Sequence, residues 1–282
     1  MRWFSRLALA YAVLATLAGC AWEVPLSAAF KPLPAARAAD PLDARALQRQ
    51  TLAPEGVLRV GVYAGSPTSL VRTGAQGEVA GLAYELGHAL GQRLAVPVQI
   101  REYPRVAEVL RALKAGEIDL TFTNASPARA REVDFTPPLL RLELGLLVPA
   151  GSRIARFADL DREGVRVGVS QGSSSQAALS NQLRQAQVQA MPSLAEARQR
   201  LAGGQLDAFA TNKGILFELA DQLPGFVVLS DRWGLEQLAL AVPQGRAQGM
   251  PLLREFADDM VRSGQVQAMA RRAGLRGMAN NP

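Results

Sequence analysis

Apolar strand-like segments alternate with amphipathic helix-like segments, and this alternation constrains the fold more than any other feature of the chain. In the first half, leucines at every fourth position from residue 82 to residue 94 mark a helix between two apolar strands. Strands that alternate with helices pair in parallel, because each helix returns the chain to the same edge of the sheet. The elements predicted for the first half are strand 57–63, helix 81–94, strand 96–103, helix 106–113 and strand 118–123.

The second half repeats this order after a break at residues 149–152, and 282 residues are enough for two domains. Its predicted elements are strand 165–169, a polar turn at 171–175 that opens a helix to 184, strand 187–190, helix 193–202 and strand 205–211. Strands at 226–229 and 238–242 and two helices between 252 and 272 complete the chain. The sequence therefore predicts an α/β protein whose second half repeats the architecture of the first.

The first twenty residues resemble a bacterial lipoprotein signal peptide. Arg2 and Arg6 precede an apolar run at 7–17, which is short for a membrane span. Leu17-Ala-Gly-Cys20 follows and resembles a lipobox, so Cys20 is the predicted lipidation site. The alternative is an ordinary signal peptide that is cut later, after Ala39, to release a soluble periplasmic protein. Residues 21–54 are predicted to form a tether rich in Ala and Pro.

The composition argues against several kinds of site and partner. Cys20 is the only cysteine, which excludes an internal disulfide and argues against a cysteine-rich metal site. His88 is the only histidine, and a single histidine on a predicted helix is a poor candidate for a metal ligand or a catalytic base. The net charge of +6 comes from scattered arginines without a dense basic run, so nucleic acid is not an expected partner. No cofactor and no metal are predicted.

The stretch at residues 119–135 contains the main candidate for a ligand-binding group. Its strand ends in the polar residues Thr123 and Asn124, and Ser126-Pro127 is typical of the start of a helix. Arg129 then falls in the first helical turn, where a cation is unfavourable unless an anion binds there too. We therefore predict a carboxylate clamp centred on Arg129. An ordinary solvated arginine on a helix surface is the alternative.

Ligands of parallel α/β sheets bind beyond the carboxyl ends of the strands, and two tyrosines lie at such ends. Tyr63 and Tyr103 each end a predicted strand, so both are candidate ligand-binding residues, with plain core packing as the alternative. Arg101 and Arg105 lie near the same edge and suit a second acidic group on the ligand. A solvated surface is the alternative for these two arginines.

Eight short motifs occur in a fixed order between residues 55 and 275, among them Leu113-Lys-Ala-Gly-Glu-Ile-Asp119, Pro127-Ala-Arg-Ala130 and Gln171-Gly-Ser-Ser174. In this order the chain resembles the family 3 solute-binding proteins, the periplasmic amino-acid-binding components of ABC importers. The resemblance implies a two-lobed type II periplasmic binding protein fold, each lobe a mostly parallel sheet flanked by helices. Lobe 1 would comprise residues 55–145 and 236–282, and lobe 2 the inserted residues 146–235. The ligand would lie in the cleft between them.

The resemblance also assigns roles to individual residues. Arg129 resembles the family arginine that grips the α-carboxylate of the ligand. Ser173 and Ser174 resemble the hydroxyl pair at a lobe 2 helix start that closes on the same carboxylate. Thr123 and Asn124 resemble the polar residues that follow the third strand.

Two further positions bear on the kind of ligand. Tyr63 resembles the aromatic wall near the first strand end. Asn212 stands where amino-acid binders usually carry an aspartate that pairs with the α-ammonium group. An asparagine accepts a hydrogen bond but cannot neutralise that charge, which favours a carboxylate that lacks the amine. A simple helix N-cap is the alternative for Asn212.

The function implied by the resemblance is that of an extracytoplasmic solute-binding lipoprotein. It would capture a small carboxylate, an amino acid or a related organic acid, and deliver it to the permease of an ABC transporter. We expect a monomer that is not an enzyme and that contacts the membrane only through its lipid anchor. One alternative is a periplasmic enzyme similar to cyclohexadienyl dehydratase, although the turn at 171–176 lacks a carboxylate for general acid catalysis. The other is a ligand-sensing lipoprotein that acts through a partner.

Overall fold

A computed structural model of the chain describes residues 41–73 and 76–279. Cys20, the predicted signal peptide and most of the predicted tether lie outside these residues. The described helices are α1 (Pro41–Leu52), α2 (Leu82–Leu94), α3 (Val106–Lys114), α4 (Ser174–Gln182), α5 (Leu194–Ala202), α6 (Lys213–Asp221), α7 (Met250–Arg262) and α8 (Gln265–Arg272), with short 3-10 turns at Arg129–Arg131, Phe157–Asp159 and Ala247–Gly249.

The described strands follow the predicted order closely. They are β1 (Leu58–Tyr63), β2 (Val71–Thr73), β3 (Glu78–Ala80), β4 (Val98–Tyr103), β5 (Thr121–Asn124), β6 (Val133–Phe135), β7 (Leu140–Pro149), β8 (Arg166–Ser170), β9 (Gln187–Met191), β10 (Ala208–Asn212), β11 (Phe226–Val228) and β12 (Gly234–Pro243). The hairpin of β2 and β3 adds a small antiparallel pair that the sequence did not predict.

The first half of the chain builds a parallel arrangement of strands. β1 pairs in parallel with β4, and Val60 of β1 forms a parallel bridge with Leu120, just before β5. The predicted leucine stripe of α2 is buried, as expected for a helix that covers a sheet. Gly87 lets α2 approach β1 closely, because a Cβ there would lie 2.7 Å from Cγ2 of Val60.

In the second half, β8 pairs in parallel with both β9 and β10. Two strands of ten residues, β7 and β12, join the halves. They pair with each other in an antiparallel manner between residues 140–144 and 234–238. β12 then continues along β5 and β6, whereas β7 continues along β10 and β11. The pairing is therefore mixed. The antiparallel pair of β7 and β12 lies between the parallel strands of the first half and those of the second.

The hydrophobic cores follow the same division. One large core collects buried residues from 52 to 142 and from 238 to 275, so it draws on both ends of the described chain. Two smaller cores draw only on residues 146–210 and 147–223. β7 passes from the first region to the second within a few residues, since Leu142 belongs to the large core and Leu146 to a smaller one.

An Arg–Asp ion pair occurs in equivalent form in both halves, buried in the first half and partly exposed in the second. In the first, Arg59 donates from its backbone N and from Nε to Oδ2 of Asp119, at 2.9 and 2.8 Å, and from Nη2 to Oδ1 at 2.8 Å. In the second, Arg166 and Asp207 make the same three bonds, at 2.8, 3.0 and 2.8 Å. The first pair links β1 to the residue that lies just before β5, and the second links β8 to the residue just before β10.

Part of the predicted tether is folded in the structure. Residues 41–52 form α1, which the sequence suggested only as a short helix at the tether's end. Leu52 is 1% exposed and belongs to the large core, and Arg246 Nη1 donates to its carbonyl oxygen at 2.8 Å. Residues 41–54 therefore belong to the folded body and not to a tether at 21–54. Across residues 41–73 and 76–279, no helix combines the length and the hydrophobicity that crossing a membrane requires.

Candidate functional site

A cavity lies where the two halves meet, and its empty volume, part of which is open to solvent, is about 580 Å³. Its lining mixes apolar side chains such as Phe122, Met191 and Ile215 with hydroxyl, amide and charged groups. The structure brings seven of the predicted site residues to this cavity, namely Tyr63, Thr123, Asn124, Arg129, Ser173, Ser174 and Asn212. Their role as ligand-binding residues stays a prediction.

Arg129 begins a single 3-10 turn, Arg129–Arg131, and not the helix that Ser126-Pro127 suggested. The turn is short because β6 begins at Val133, only two residues after it ends. Ser126 still contributes, since its hydroxyl oxygen accepts a long hydrogen bond of 3.4 Å from the backbone N of Arg129. No α-helix begins at Arg129, so the guanidinium itself, and not a helix dipole, is the positive group at this position.

The guanidinium of Arg129 donates only to neutral acceptors in the described part of the chain. Nη1 donates to the hydroxyl of Thr123 at 2.9 Å and to the carbonyl oxygen of Asn124 at 3.3 Å, and Nη2 donates to the carbonyl oxygen of Gly172 at 3.2 Å. Burial lowers the pKa of Arg129, while the nearby Glu236 and Tyr63 act in the opposite direction. An arginine remains protonated at neutral pH, so the cavity contains a positive charge without a paired anion.

Ser173 and Ser174 lie at the start of α4, as predicted. Ser173 is the N-cap of the helix, and its hydroxyl oxygen accepts from the backbone N of Gln176 at 3.1 Å. The hydroxyl of Ser174 donates to Oε1 of Glu236 at 2.5 Å. Ser173 thus orders the helix start, whereas Ser174 reaches across the cavity to the other half of the chain.

Asn212 is the N-cap of α6, which was the alternative to a ligand-binding role. Its Oδ1 accepts from the backbone N of Ile215 at 3.1 Å, and its Nδ2 donates to Oε2 of Glu236 at 3.1 Å. The amide oxygen is therefore already used by the helix. Asn212 presents a hydrogen-bond donor to the cavity, where the sequence comparison with aspartate anticipated an acceptor.

The two predicted tyrosines occupy different places, and only Tyr63 lies at the cavity. Tyr63 lines the cavity, its backbone N donates to the hydroxyl of Ser69 at 2.8 Å, and burial raises the pKa of its phenol. Tyr103 is not among the residues that line the cavity, and its ligand-binding role stays a prediction. β4 lies on the far side of β1 from β5, and Tyr103 packs instead against the small core of Val109, Leu113 and their neighbours.

Arg101 and Arg105 were suggested as partners for a second acidic group on the ligand, and only Arg105 lies at the cavity. Arg105 lines the cavity, but its Nη2 already donates to Oε1 of Glu108 at 2.6 Å, and Nη1 contacts the carbonyl oxygen of Pro192 at 3.4 Å. Arg101 donates to the carbonyl oxygen of Glu117 at 2.7 Å and does not line the cavity. Arg105 is thus paired with a carboxylate, although its buried Nε has no hydrogen-bond partner among the described residues, and Arg101 lies outside the cavity.

Glu236 is the charged cavity residue that the sequence analysis missed. It lies on β12 and is 7% exposed. A signal for it exists in the sequence, because Glu236 alternates in phase with the buried Leu238 and Leu240 of the same strand. An ionisable residue on the buried face of a strand is rare unless it is paired or functional.

The chain belongs to the bacterial extracellular solute-binding proteins, family 3, whose family model matches residues 58–274. Among characterised relatives, it is 26% identical over 175 residues to the ABC transporter glutamine-binding protein GlnH of Bacillus subtilis strain 168. That match covers 61% of this chain and 64% of the relative, so it spans less than two thirds of the relative's length. The predicted family is confirmed.

Solved structures of binding proteins share the fold. The chain matches the ancestral amino acid-binding protein AncCDT-1, a precursor of cyclohexadienyl dehydratase, with a TM-score of 0.69 and 24% identity over 79% of this chain and 98% of that one. It matches the amino acid ABC transporter substrate-binding protein AbpA of Streptococcus pneumoniae Canada MDR_19A, bound to L-arginine, with a TM-score of 0.72 and 17% identity over 79% and 97%. The predicted α/β fold of the type II periplasmic binding proteins is confirmed, and its sheet is mixed where a mostly parallel sheet in each lobe was predicted.

Proposed function

We propose that this protein captures a small carboxylate, an amino acid or a related organic acid, and delivers it to an ABC importer. The observation that carries the proposal is the guanidinium of Arg129, which faces the cavity with neutral partners only. Thr123 and Asn124 fix its position, so that its fork is ready for a carboxylate. The glutamine-binding relative and the arginine-bound neighbour support an amino acid as the ligand class.

The same proposal places the ligand between two lobes, residues 55–145 with 236–282 and residues 146–235. Contacts that span these ranges surround the cavity: Arg129 to Gly172, Ser174 to Glu236 and Arg105 to Pro192. β7 and β12 are the two connections between the ranges and would act as the hinge. The arrangement corresponds to a closed cleft, in which a bound acid would be held from both sides.

The proposal also includes a membrane anchor near the N-terminus and a transporter as the partner. In this proposal Cys20 is lipidated, the protein is held at a membrane on the periplasmic side, and the closed, loaded form docks as a monomer on the permease. Mass spectrometry of the mature N-terminus should find a lipid on Cys20. A mature chain that begins at Asp40 would support a soluble periplasmic protein instead. Failure to bind a permease would favour the sensing role through another partner.

Isothermal titration calorimetry of Arg129→Ala tests the clamp. The variant should lose at least about 2 kcal/mol of binding free energy for any acid that the wild type binds, because a desolvated charge pair is removed. Arg131→Ala is the matched control, since Arg131 is an exposed arginine two residues away and outside the cavity. Equal affinity in Arg129→Ala and wild type would refute the clamp.

A second candidate, dehydration of a cyclohexadienyl acid, is favoured by one observation. Glu236 is a carboxylate that faces the cavity and could serve as the general acid that the turn at 171–176 lacks. Incubation with prephenate or arogenate, followed by absorbance of the aromatic product, decides between the two functions. Turnover that Glu236→Gln abolishes would establish the enzyme, and binding without turnover would establish the carrier.

A further inference from the structure

Glu236 is a carboxylate that the chain buries without a cation. Its Oε1 accepts from the hydroxyl of Ser174 at 2.5 Å and its Oε2 from Nδ2 of Asn212 at 3.1 Å. Both donors are neutral, and among the described residues no lysine or arginine nitrogen lies within 4.0 Å of it. Burying a carboxylate is unfavourable unless its charge is compensated, so this site is incomplete as it stands.

Two other buried charged residues of this chain, Asp119 and Lys213, do have partners of opposite charge. Asp119 is fully buried and contacts both Arg59 and Arg246, at 2.8 and 2.7 Å. Lys213 is buried and contacts Glu143 at 2.8 Å. The chain thus supplies a partner of opposite charge to these two buried ions, and Glu236, which lines the cavity, departs from that pattern.

Glu236 also faces the unpaired Arg129. Both residues line the same cavity, and the charge of Glu236 acts on Arg129, yet they form no ion pair. Thr123 and Gly172 hold the guanidinium on one side, while Ser174 and Asn212 hold the carboxylate on the other. Two opposite charges kept apart by their own hydrogen bonds match a ligand that carries both charges.

Building on the proposed function, we propose that Glu236 binds the positively charged nitrogen of the ligand, so that the site selects a zwitterionic amino acid over the same acid without its amine. Glu236 thereby supplies the negative charge that Asn212 lacks. Asn212 contributes indirectly, by donating to Oε2 and fixing the direction of the carboxylate. A protonated amine adds the cation that completes the buried site.

The test is a thermal-shift and calorimetric panel of the standard L-amino acids, each paired with the acid that lacks the α-amino group. The wild type should bind at least one amino acid about 100-fold more tightly than its amine-free partner. Glu236→Gln should bring the two affinities to within about tenfold of each other, mainly by weakening the amino acid. The ligand-free midpoint of Glu236→Gln should equal or exceed that of the wild type, because an uncompensated buried charge is removed.

Glu143→Gln is the matched control, because it neutralises a glutamate whose cations are Lys213 and Arg232, and it does not line the cavity. It should lower the unfolding midpoint and leave the preference for the amine unchanged. Glu236→Asp, which retains the charge but shortens the side chain by one methylene group, should reduce the preference for the amine without abolishing it, and it keeps the test valid if Glu236→Gln folds poorly.

The outcomes separate this inference from the function on which it rests. Acids without an amine that bind as tightly as amino acids, and that depend on Arg129, would overturn the role of Glu236 while the carboxylate carrier stands. A preference for the amine that survives in Glu236→Gln would also overturn it. Absence of binding by either class of acid would overturn both proposals together.

Discussion

Arg129 and Gly172 contact each other across the cavity, with Nη2 donating to the glycine carbonyl oxygen at 3.2 Å. Gly172 adopts a φ of +72°, and a Cβ on it would lie 2.5 Å from Cβ of Ala107 in α3. The absence of a side chain at this position is therefore what allows the turn before α4 to approach α3 and the guanidinium.

Gly172→Ala should weaken ligand binding by about tenfold or more, because the new methyl group keeps the two sides of the cavity apart. Calorimetry with the best ligand of the wild type measures the effect. Gly116→Ala is the control, since Gly116 has a φ of +71° but no atom within 4 Å of a Cβ. It should cost stability alone, and an equal loss of affinity in both variants would rule out the steric explanation.

Asp119→Asn should lower the unfolding free energy by about 3 kcal/mol, because it leaves two buried arginines facing a neutral group. Asp207→Asn removes the equivalent pair in the second half, where both side chains are 36% exposed. Solvent screens that pair, so the loss there should be about 1 kcal/mol or less. Urea unfolding at neutral pH compares the two, and equal losses would show that burial does not set the strength of the pair.

The stability that Asp119 contributes should depend on pH. Burial by itself raises the pKa of Asp119, but hydrogen bonds from Arg59 and Arg246 outweigh it and hold the pKa below its usual value. The unfolded chain therefore binds a proton first as the pH falls. The contribution is complete above the unfolded pKa of about 3.9 and is lost as the pH falls from there through the folded value.

The difference in unfolding free energy between wild type and Asp119→Asn should thus be constant from about pH 5 to pH 7 and shrink below about pH 4. Taking the difference removes the contributions of the other carboxylates, which both chains share. A difference that stays constant down to about pH 2.5 would contradict the assignment.

Arg246→Ala should loosen α1 from the folded body. Arg246 joins the carbonyl oxygen of Leu52 at 2.8 Å to Oδ1 of Asp119 at 2.7 Å, so its loss removes a link between the helix and the large core. Hydrogen exchange of residues 45–53 should become faster, while exchange in β8 and β10 stays as in wild type. Arg254→Ala, an exposed arginine of α7, is the control and should change neither.

Much of the fold could be predicted because its signals are local. The leucine stripe of α2 and the apolar strand β1 can each be predicted from a few neighbouring residues. The alternation of such strands and helices then predicts that the strands pair in parallel. The turn at Arg129 was predicted as a helix because Ser126-Pro127 is a local start signal, whereas the early beginning of β6 decides where that turn ends.

The site could be predicted only in part, because its chemistry depends on distant pairings. Arg129 was found from its local context. Glu236 meets Ser174 and Asn212 only through the crossing of β12, a relationship between residues far apart in the chain. That Tyr103 does not line the cavity could not be predicted for the same reason, since the end of a strand reveals the edge of the sheet but not how near that strand lies to its centre.

The large core takes residues from both ends of the described chain, and this sets an order of events during synthesis. Its C-terminal share, from Leu238 to Leu275, is made last, whereas the two smaller cores and the residues packed against them are complete once Trp233 has been made. The segment at 146–233 can consequently fold while the ends are still unjoined. The N-terminal portion, in contrast, cannot complete its core until residues 238–275 have been made, so the last part of the chain to be synthesised decides when the first part becomes stable.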